Sequence, residues 1–220
     1  MIKVDLASHR LVAQRAVGAG FESVLFADPR TADEVDHCVR SVRADAPGKQ
    51  RGAYGAALRR NCPPGYGTTA TLAEDLAAVV VVIMIEKDTA LDNVDSILQT
   101  PGIDMIQWGP TDYAMSIGAF DEARDSDRMR KLERGLIEKC HEGGVAFRAE
   151  CSTLEAARYY LDLGVRHFCY GWDLMTLHER WRSDGERLRD LISDRTGTVA
   201  AQSEPSATLA PQAAAALKPA

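Results

Sequence analysis

Two acidic residues follow apolar runs in a way that could do chemistry. Glu86 directly ends the run Val79–Ile85, and Asp112 lies in Trp108-Gly109-Pro110-Thr111-Asp112, just after the run Asp104–Trp108. One helical pattern separates them. If the runs are neighbouring strands of a parallel sheet, about 4.8 Å apart, both carboxylates emerge at the same edge and can reach one cation. Two carboxylates with the remaining positions open suit a hard ion, Mg²⁺ or Mn²⁺, completed by water and substrate oxygens. The alternative is structural: Glu86 caps a helix starting near Thr89, and Asp112 caps a turn. A second charged pair, Arg148 and Glu150, shares one face of a later extended run, either as an ordinary ion pair or as part of the same pocket. His9, His37, His141, His167 and His178 form no HxH or HExxH pattern, which argues against a histidine metal site. Gly65-Tyr66-Gly67 has no Lys-Ser/Thr pair after it and is not a phosphate loop; Tyr66 is instead placed to cover the pocket. Trp108 either packs in the core or forms a wall of the pocket.

The elements that must position these residues are legible as an alternation. Short apolar runs, several rich in β-branched residues, at Met1–Val4, Ser23–Phe26, Val79–Ile85, Asp104–Trp108, Val145–Ala149 and His167–Tyr170 have the character of strands buried on both faces. Helical patterns stand between them at Arg10–Val17, Ala32–Arg43, Thr89–Leu98, Asp127–Glu142 and Thr153–Leu163, and Leu174–Ile192 follows the last run. Thr31 with Glu34 three residues on has the form of a capping box, and Gly164 ends its helix. Such alternation predicts an α/β fold built on a parallel sheet, whose ligand sites lie at the carboxyl ends of the strands. Pro47–Gly67 breaks the rhythm, and a loop that long is more often functional than idle. The expected organisation is a β/α domain over 1–195 and a disordered Ala/Pro-rich tail over 196–220, which lacks the large apolar groups that would offset ordering entropy.

Composition narrows the function. The 220 residues carry a formal net charge of −6, with 45% hydrophobic and 26% charged residues. This is the balance of a soluble globular protein and not of a general nucleic-acid binder. No apolar run is long enough to cross a bilayer, and the first residues do not form a secretory signal. Five scattered cysteines without a CxxC pair predict reduced thiols in a cytoplasmic protein.

A series of ordered words around the two acids resembles the HpcH/HpaI aldolase family, the metal-dependent class II pyruvate aldolases. They are Ile85-Glu86-Lys87, Ala90-Leu91-Asp92-Asn93-Val94, Pro101-Gly102-Ile103-Asp104, Gly109-Pro110-Thr111-Asp112-Tyr113 and Ser116-Ile117-Gly118, with Leu161-Asp162-Leu163-Gly164 and Gly171-Trp172-Asp173 further on. The resemblance implies a TIM-type (β/α) barrel, here incomplete with about six parallel strands, because Met1–Val4 matches the family's third strand. It implies Glu86 and Asp112 as ligands of Mg²⁺ or Mn²⁺, and a substrate contact at Gly109, Pro110 and Thr111, with Trp108 beside them. The activity implied is cleavage of a 4-hydroxy-2-oxo acid to pyruvate, or a related 2-oxo acid, and an aldehyde. The ion would act as a Lewis acid on the enolate released. The family's catalytic arginine follows its third strand. Lys3 stands near that place and keeps the charge without the bidentate fork, so Lys3, Arg148 and Glu150 are the expected catalytic groups. Other departures are Met84 for a common Gln, Lys87 for Thr, Thr111 for Ala and Ala27 for Pro. Two rival readings are a citrate-lyase-β or malyl-CoA-lyase-like enzyme, and a truncated relative that binds metal or a 2-oxo acid without turnover. The expected partners are a small-molecule 2-oxo acid and further copies of the chain in a homo-oligomer, a trimer or hexamer by resemblance, with neither nucleic acid nor membrane.

Overall fold

The computed structural model describes residues 1–47, 51–60 and 67–196. The chain divides into two compact units, Met1–Gly171 and Trp172–Ala220. The sequence reading puts its boundary after residue 195, whereas this division falls at Gly171.

In the first unit all six expected strands form, as β1 (Ile2–Val4), β2 (Ser23–Phe26), β3 (Val80–Ile85), β4 (Met105–Trp108), β5 (Ala146–Cys151) and β6 (His167–Tyr170). They make one parallel sheet in the order β1-β2-β3-β4-β5-β6. Strand order therefore follows chain order, as in the consecutive βα units of a TIM-type fold. The helices of this unit are α1 (His9–Gly18), α2 (Ala32–Ser41), α3 (Thr69–Ala78), α4 (Asp88–Asp92), α5 (Val94–Leu98), α6 (Pro110–Ser116), α7 (Asp127–Glu142) and α8 (Leu154–Asp162).

Alternation along the strands decides which residues face the helices. Val81, Ile83 and Ile85 of β3, Ile106 and Trp108 of β4, and Phe147 and Ala149 of β5 join Val35, Val39, Leu136, Ile137 and Cys140 of the helices in the main core. The intervening positions, among them Leu25, Val82 and Met84, form a second small cluster on the opposite face. In a closed barrel that face is the lumen. Lys3, Gln107, Arg148 and Glu150 also occupy alternate positions of this kind in their strands.

Local chemistry fixes the helix ends. Thr31 and Glu34 make the expected capping box, and Gly164 takes φ +84 after α8, a conformation glycine adopts at no steric cost. The single helix expected over Thr89–Leu98 is two, broken at Asn93. The Asn93 amide donates to the Arg30 carbonyl at 3.0 Å, so it ties this break to the loop after β2. Helix α3 is an addition to the sequence reading; its only buried side chain is Leu76, and so it shows little amphipathic period. Tyr54 of the long loop forms a bridge with Ala44 before it, and Ala56–Leu58 make a 3₁₀ turn. Gly65 and Tyr66, and the tail from residue 197 on, lie outside the described residues.

Cys38, Cys140, Cys151 and Cys169 are free thiols; Cys62 lies outside the described residues. Burial, with Glu34 adding to it for Cys38, pushes the thiols of Cys38 and Cys140 up to about 12, as for inert core cysteines.

The second unit consists, as far as it is described, of α9 (Asp173–Thr196). Leu174, Leu177, Trp181, Leu188 and Leu191 recur along it at steps of three, four and seven residues, one apolar stripe of the helix. No helix among the described residues is long and apolar enough to cross a membrane.

Candidate functional site

Glu86 follows β3 and is 3% exposed. Its Oε1 accepts the backbone N–H of Asp28 at 2.9 Å. Its Oε2 is buried and accepts no hydrogen bond; the Lys3 ammonium stands 3.8 Å away. Burial pushes the Glu86 carboxyl up and Asp112 adds to the rise, while Lys3, the Asp28 N–H and Lys87 oppose it. Glu86 does not cap α4: the cap position is Lys87, and no side chain bonds there.

Asp112 lies in the first turn of α6, a helix where the sequence reading places a turn. Pro110 at its first position is the signal for that helix. Gly109 precedes it, and its N–H donates to the Ile85 carbonyl at 2.9 Å, which locks the end of β4 to the end of β3. The helix has no side-chain cap. Asp112 Oδ1 instead receives the Lys87 ammonium at 3.4 Å. Both capping alternatives therefore fail; the two acids stand at the ends of neighbouring strands, and the Asp112 charge adds to the rise of the Glu86 carboxyl.

Gly109 shows how tight that approach is. A Cβ there would lie 2.5 Å from Glu86 Cβ and 2.9 Å from Glu86 Oε2. Only glycine lets the α6 entry pass over the Glu86 carboxylate.

Two further residues complete the cluster. Lys87, whose side chain is 19% exposed, places its ammonium 3.2 Å from Asp28 Oδ1 as well as on Asp112. Burial alone would lower the Lys87 ammonium, but the bonds and charges of Asp28 and Asp112 outweigh it and hold it above the ordinary lysine value. Asp28 has φ +72, a left-handed conformation that Asp tolerates better than most residues. That geometry turns its N–H toward Glu86 while its carboxylate meets Lys87. The sequence reading passes over Asp28, although it stands two residues past β2 at the edge where ligand groups collect. The family motifs serve the same edge from behind: Ser116 Oγ accepts the Asp88 N–H at 3.0 Å and so ties α6 to α4.

The predicted site residues thus separate into groups. Glu86, Asp112, Gly109 and Lys3 come together, and Pro110 and Thr111 form the adjoining start of α6, with Thr111 exposed. Arg148 and Glu150 lie on β5, two strands from β3. Arg148 donates to Gln107 Oε1 of β4, and Glu150 faces Arg124 at 4.0 Å. Trp108 is 4% exposed and packs on Tyr113, ring centroids 4.9 Å apart. It is paired in register with Ile85 and belongs to the helix-side core, which is the core-packing alternative for this residue.

The donor set fits a hard divalent ion. Glu86 offers a buried carboxylate oxygen without a hydrogen-bond donor, Asp112 offers a half-exposed carboxylate beside it, and the glycine cradle keeps the space above Glu86 open. Among the described residues no three His, Cys, Asp or Glu groups converge as a ready-made ligand set, so most positions would fall to water and substrate.

The family model for HpcH/HpaI aldolase/citrate lyase matches residues 1–179. The chain belongs to this family. Its relatives include a hydroxypyruvate/pyruvate aldolase of Paraburkholderia phytofirmans, 25% identical over 183 residues that cover 83% of this chain and 70% of the relative. A 5-keto-4-deoxy-D-glucarate aldolase of Shigella boydii is 27% identical, covering 82% of this chain and 66% of the relative. This HpcH/HpaI chain therefore spans about two thirds of the length of these relatives. An HpcH/HpaI aldolase/citrate lyase family protein from Burkholderia cenocepacia superposes with a TM-score of 0.68 at 24% identity, over 85% of this chain and 73% of that one. The likeness establishes the shared TIM-type fold.

Proposed function

We propose that the chain is the metal-site portion of a class II aldolase that cleaves a 4-hydroxy-2-oxo acid to pyruvate, or a related 2-oxo acid, and an aldehyde. The observation that carries this reading is the buried oxygen of Glu86 that accepts no hydrogen bond, at the end of β3 and beside the strand that leads into Asp112. Glu86 and Asp112 would hold Mg²⁺ or Mn²⁺, which supplies Lewis-acid polarisation of the 2-oxo group. The Asp28 N–H fixes Glu86 in one orientation. The backbone around Gly109 to Thr111 borders the substrate carboxylate, with the Thr111 N–H as its donor, since the Gly109 N–H is held by the Ile85 carbonyl and Pro110 has none. Lys3 presents its ammonium where negative charge develops as the carbon–carbon bond breaks. Arg148 and Glu150, further along the same sheet face, meet the polar groups of the aldehyde portion. The apolar stripe of α9 supports assembly of copies into a homo-oligomer, which light scattering on the full chain would count.

The test is pyruvate release from several 4-hydroxy-2-oxo acids, with Mg²⁺ or Mn²⁺ and with chelator. Metal-dependent release that Glu86→Gln abolishes supports the reading. Release that persists under chelator, or in Glu86→Gln, defeats it. Tight metal binding without turnover would favour a chain that binds a 2-oxo acid without cleaving it.

A further inference from the structure

The acidic edge already contains a cation of its own. Carboxylates stand after three successive strands, Asp28 after β2, Glu86 after β3 and Asp112 after β4, and two ammonium groups link them in pairs without drawing the three together. The two ammoniums are held differently. Lys3 is half exposed and stands 3.8 Å from Glu86 Oε2. Lys87 is mostly buried and bridges two carboxylates, at 3.2 Å from Asp28 Oδ1 and 3.4 Å from Asp112 Oδ1. An ammonium is a compact charge on a flexible stem; this one donates to Asp112 Oδ1 and lies against Asp28 Oδ1 as an ion pair, without a hydrogen bond to that oxygen. The two proposed ligands therefore start from different states: Glu86 Oε2 has no donor, whereas Asp112 Oδ1 is engaged.

We propose that Lys87 is a resident counter-ion that competes with the divalent cation for Asp112, and that the cation's arrival moves the ammonium onto Asp28 alone. Two positive groups cannot share one carboxylate oxygen without repulsion. Asp28 gives the displaced ammonium a partner within its existing reach, since the Lys87–Asp28 pair does not depend on Asp112. The left-handed backbone of Asp28 anchors that partner, because the same residue is fixed by its N–H on Glu86. Lys87 thus keeps Asp112 neutralised in the metal-free protein and sets a threshold of ion concentration below which the site stays closed by its own side chain.

The inference rests on Glu86 and Asp112 being the ligands, and the experiment separates the two. Mn²⁺ binding to the full, chelator-stripped chain is followed by the loss of the free-ion electron paramagnetic resonance signal. Lys87→Thr and Lys87→Gln, which remove the charge with different shapes, should each bind Mn²⁺ about tenfold more tightly than the parent. Lys131→Gln, a charge lost from the exposed face of α7, should leave affinity unchanged. Thermal melts confirm that each variant is folded, and the Lys87 variants should show a larger Mn²⁺-induced rise in melting temperature than the parent. Equal or weaker binding by both folded Lys87 variants overturns the inference, while loss of binding in Glu86→Gln/Asp112→Asn keeps the ligand assignment standing. If that double variant binds Mn²⁺ as the parent does, the ligand assignment falls and the inference falls with it.

Discussion

The two halves of the sheet treat their charged residues differently. β3 is buried along nearly its whole length and has a strand on each side. Glu86, which follows β3, therefore has little water to turn to, while Asp112 after β4 is half-exposed; both engage groups from other strand ends, Glu86 the Asp28 backbone and Lys3, Asp112 the Lys87 ammonium. β6 is partly exposed at every position and pairs with β5. Arg148 on β5 bonds the adjacent strand, and Glu150 faces Arg124. Polar groups at the buried centre are thus mutually dependent, whereas those toward the margin hold local partners. Chemistry that needs a preorganised, partly desolvated charge belongs at the first location.

The strongest challenge to this contrast is removal of the central acids. Glu86→Gln with Asp112→Asn should weaken Mn²⁺ binding by more than about a hundredfold, with the melting temperature of the stripped protein unchanged or raised, because a buried charge is removed. Calorimetric titration showing parental affinity would dissolve the distinction between the two halves.

Gly109→Ala tests the closeness of the β3–β4 edge. The added methyl meets Glu86 Cβ and Oε2, and overpacking of this kind costs about 1–3 kcal/mol. The midpoint of urea unfolding should fall accordingly, and Mn²⁺ affinity should fall with it. A silent substitution would mean that the edge is looser than the close approach shows.

The margin has its own partly buried acid, and its behaviour should be purely structural. Glu133 lies in the apolar stripe of α7, and its Oε1 accepts the Tyr160 hydroxyl of α8 at 2.9 Å. Burial pushes the Glu133 carboxyl up, against the lowering effect of Tyr160 and of Arg124, Arg130 and Arg134. A raised carboxyl binds its proton more tightly in the folded chain than in the unfolded one. Its contribution to stability is therefore full below the unfolded value and is lost as pH rises through the folded value. Tyr160→Phe removes one of the opposing bonds and should cost about 1–3 kcal/mol. The deficit should be larger at neutral pH than at pH 4, and Mn²⁺ affinity should not move. Urea melts at the two pH values check it; an equal deficit at both would show that the Glu133 charge is not involved.

The smallest effect sharpens the contrast most. Arg148→Met and Glu150→Gln should each change Mn²⁺ affinity by less than about twofold, as expected of sites that share no partners, even if substrate turnover suffers. A tenfold loss of metal from either would join the two halves into one site.

The strands were readable because short runs such as Val80–Ile85 and Ser23–Phe26 have no helical face to offer. Glu86 and Asp112 were readable because parallel strands deliver their succeeding residues to one edge. Other features were not. α3 buries a single side chain, so no period announces it. The choice between the two alternatives for Trp108, core or pocket wall, needed the β3–β4 register that puts it on the Ile85 side of the sheet, which sequence spacing does not determine. Asp28 joins the site through a backbone N–H and a positive φ, and neither is carried by residue type. Its contact with Glu86 also spans 58 positions of chain. The helix break at Asn93 was hidden similarly, because the apolar spacing of Ala90, Leu91, Val94 and Ile97 continues through it while the Asn93 amide is drawn to Arg30.

The left-handed turn at Asp28 makes that position answer two separate demands. One concerns shape alone: whichever residue stands there must present its N–H to Glu86 from a conformation that most side chains resist by about 1–2 kcal/mol. The other concerns charge alone: a carboxylate must be present for Lys87 to rest on. Glycine would meet the first and forfeit the second, asparagine would meet the first and weaken the second, and alanine would forfeit the second while straining the first. The turn thus separates the orientation of one ligand from the neutralisation of the other. Sequences that keep the scaffold can change the ionic character of the site through this single residue without rebuilding the strands beneath it.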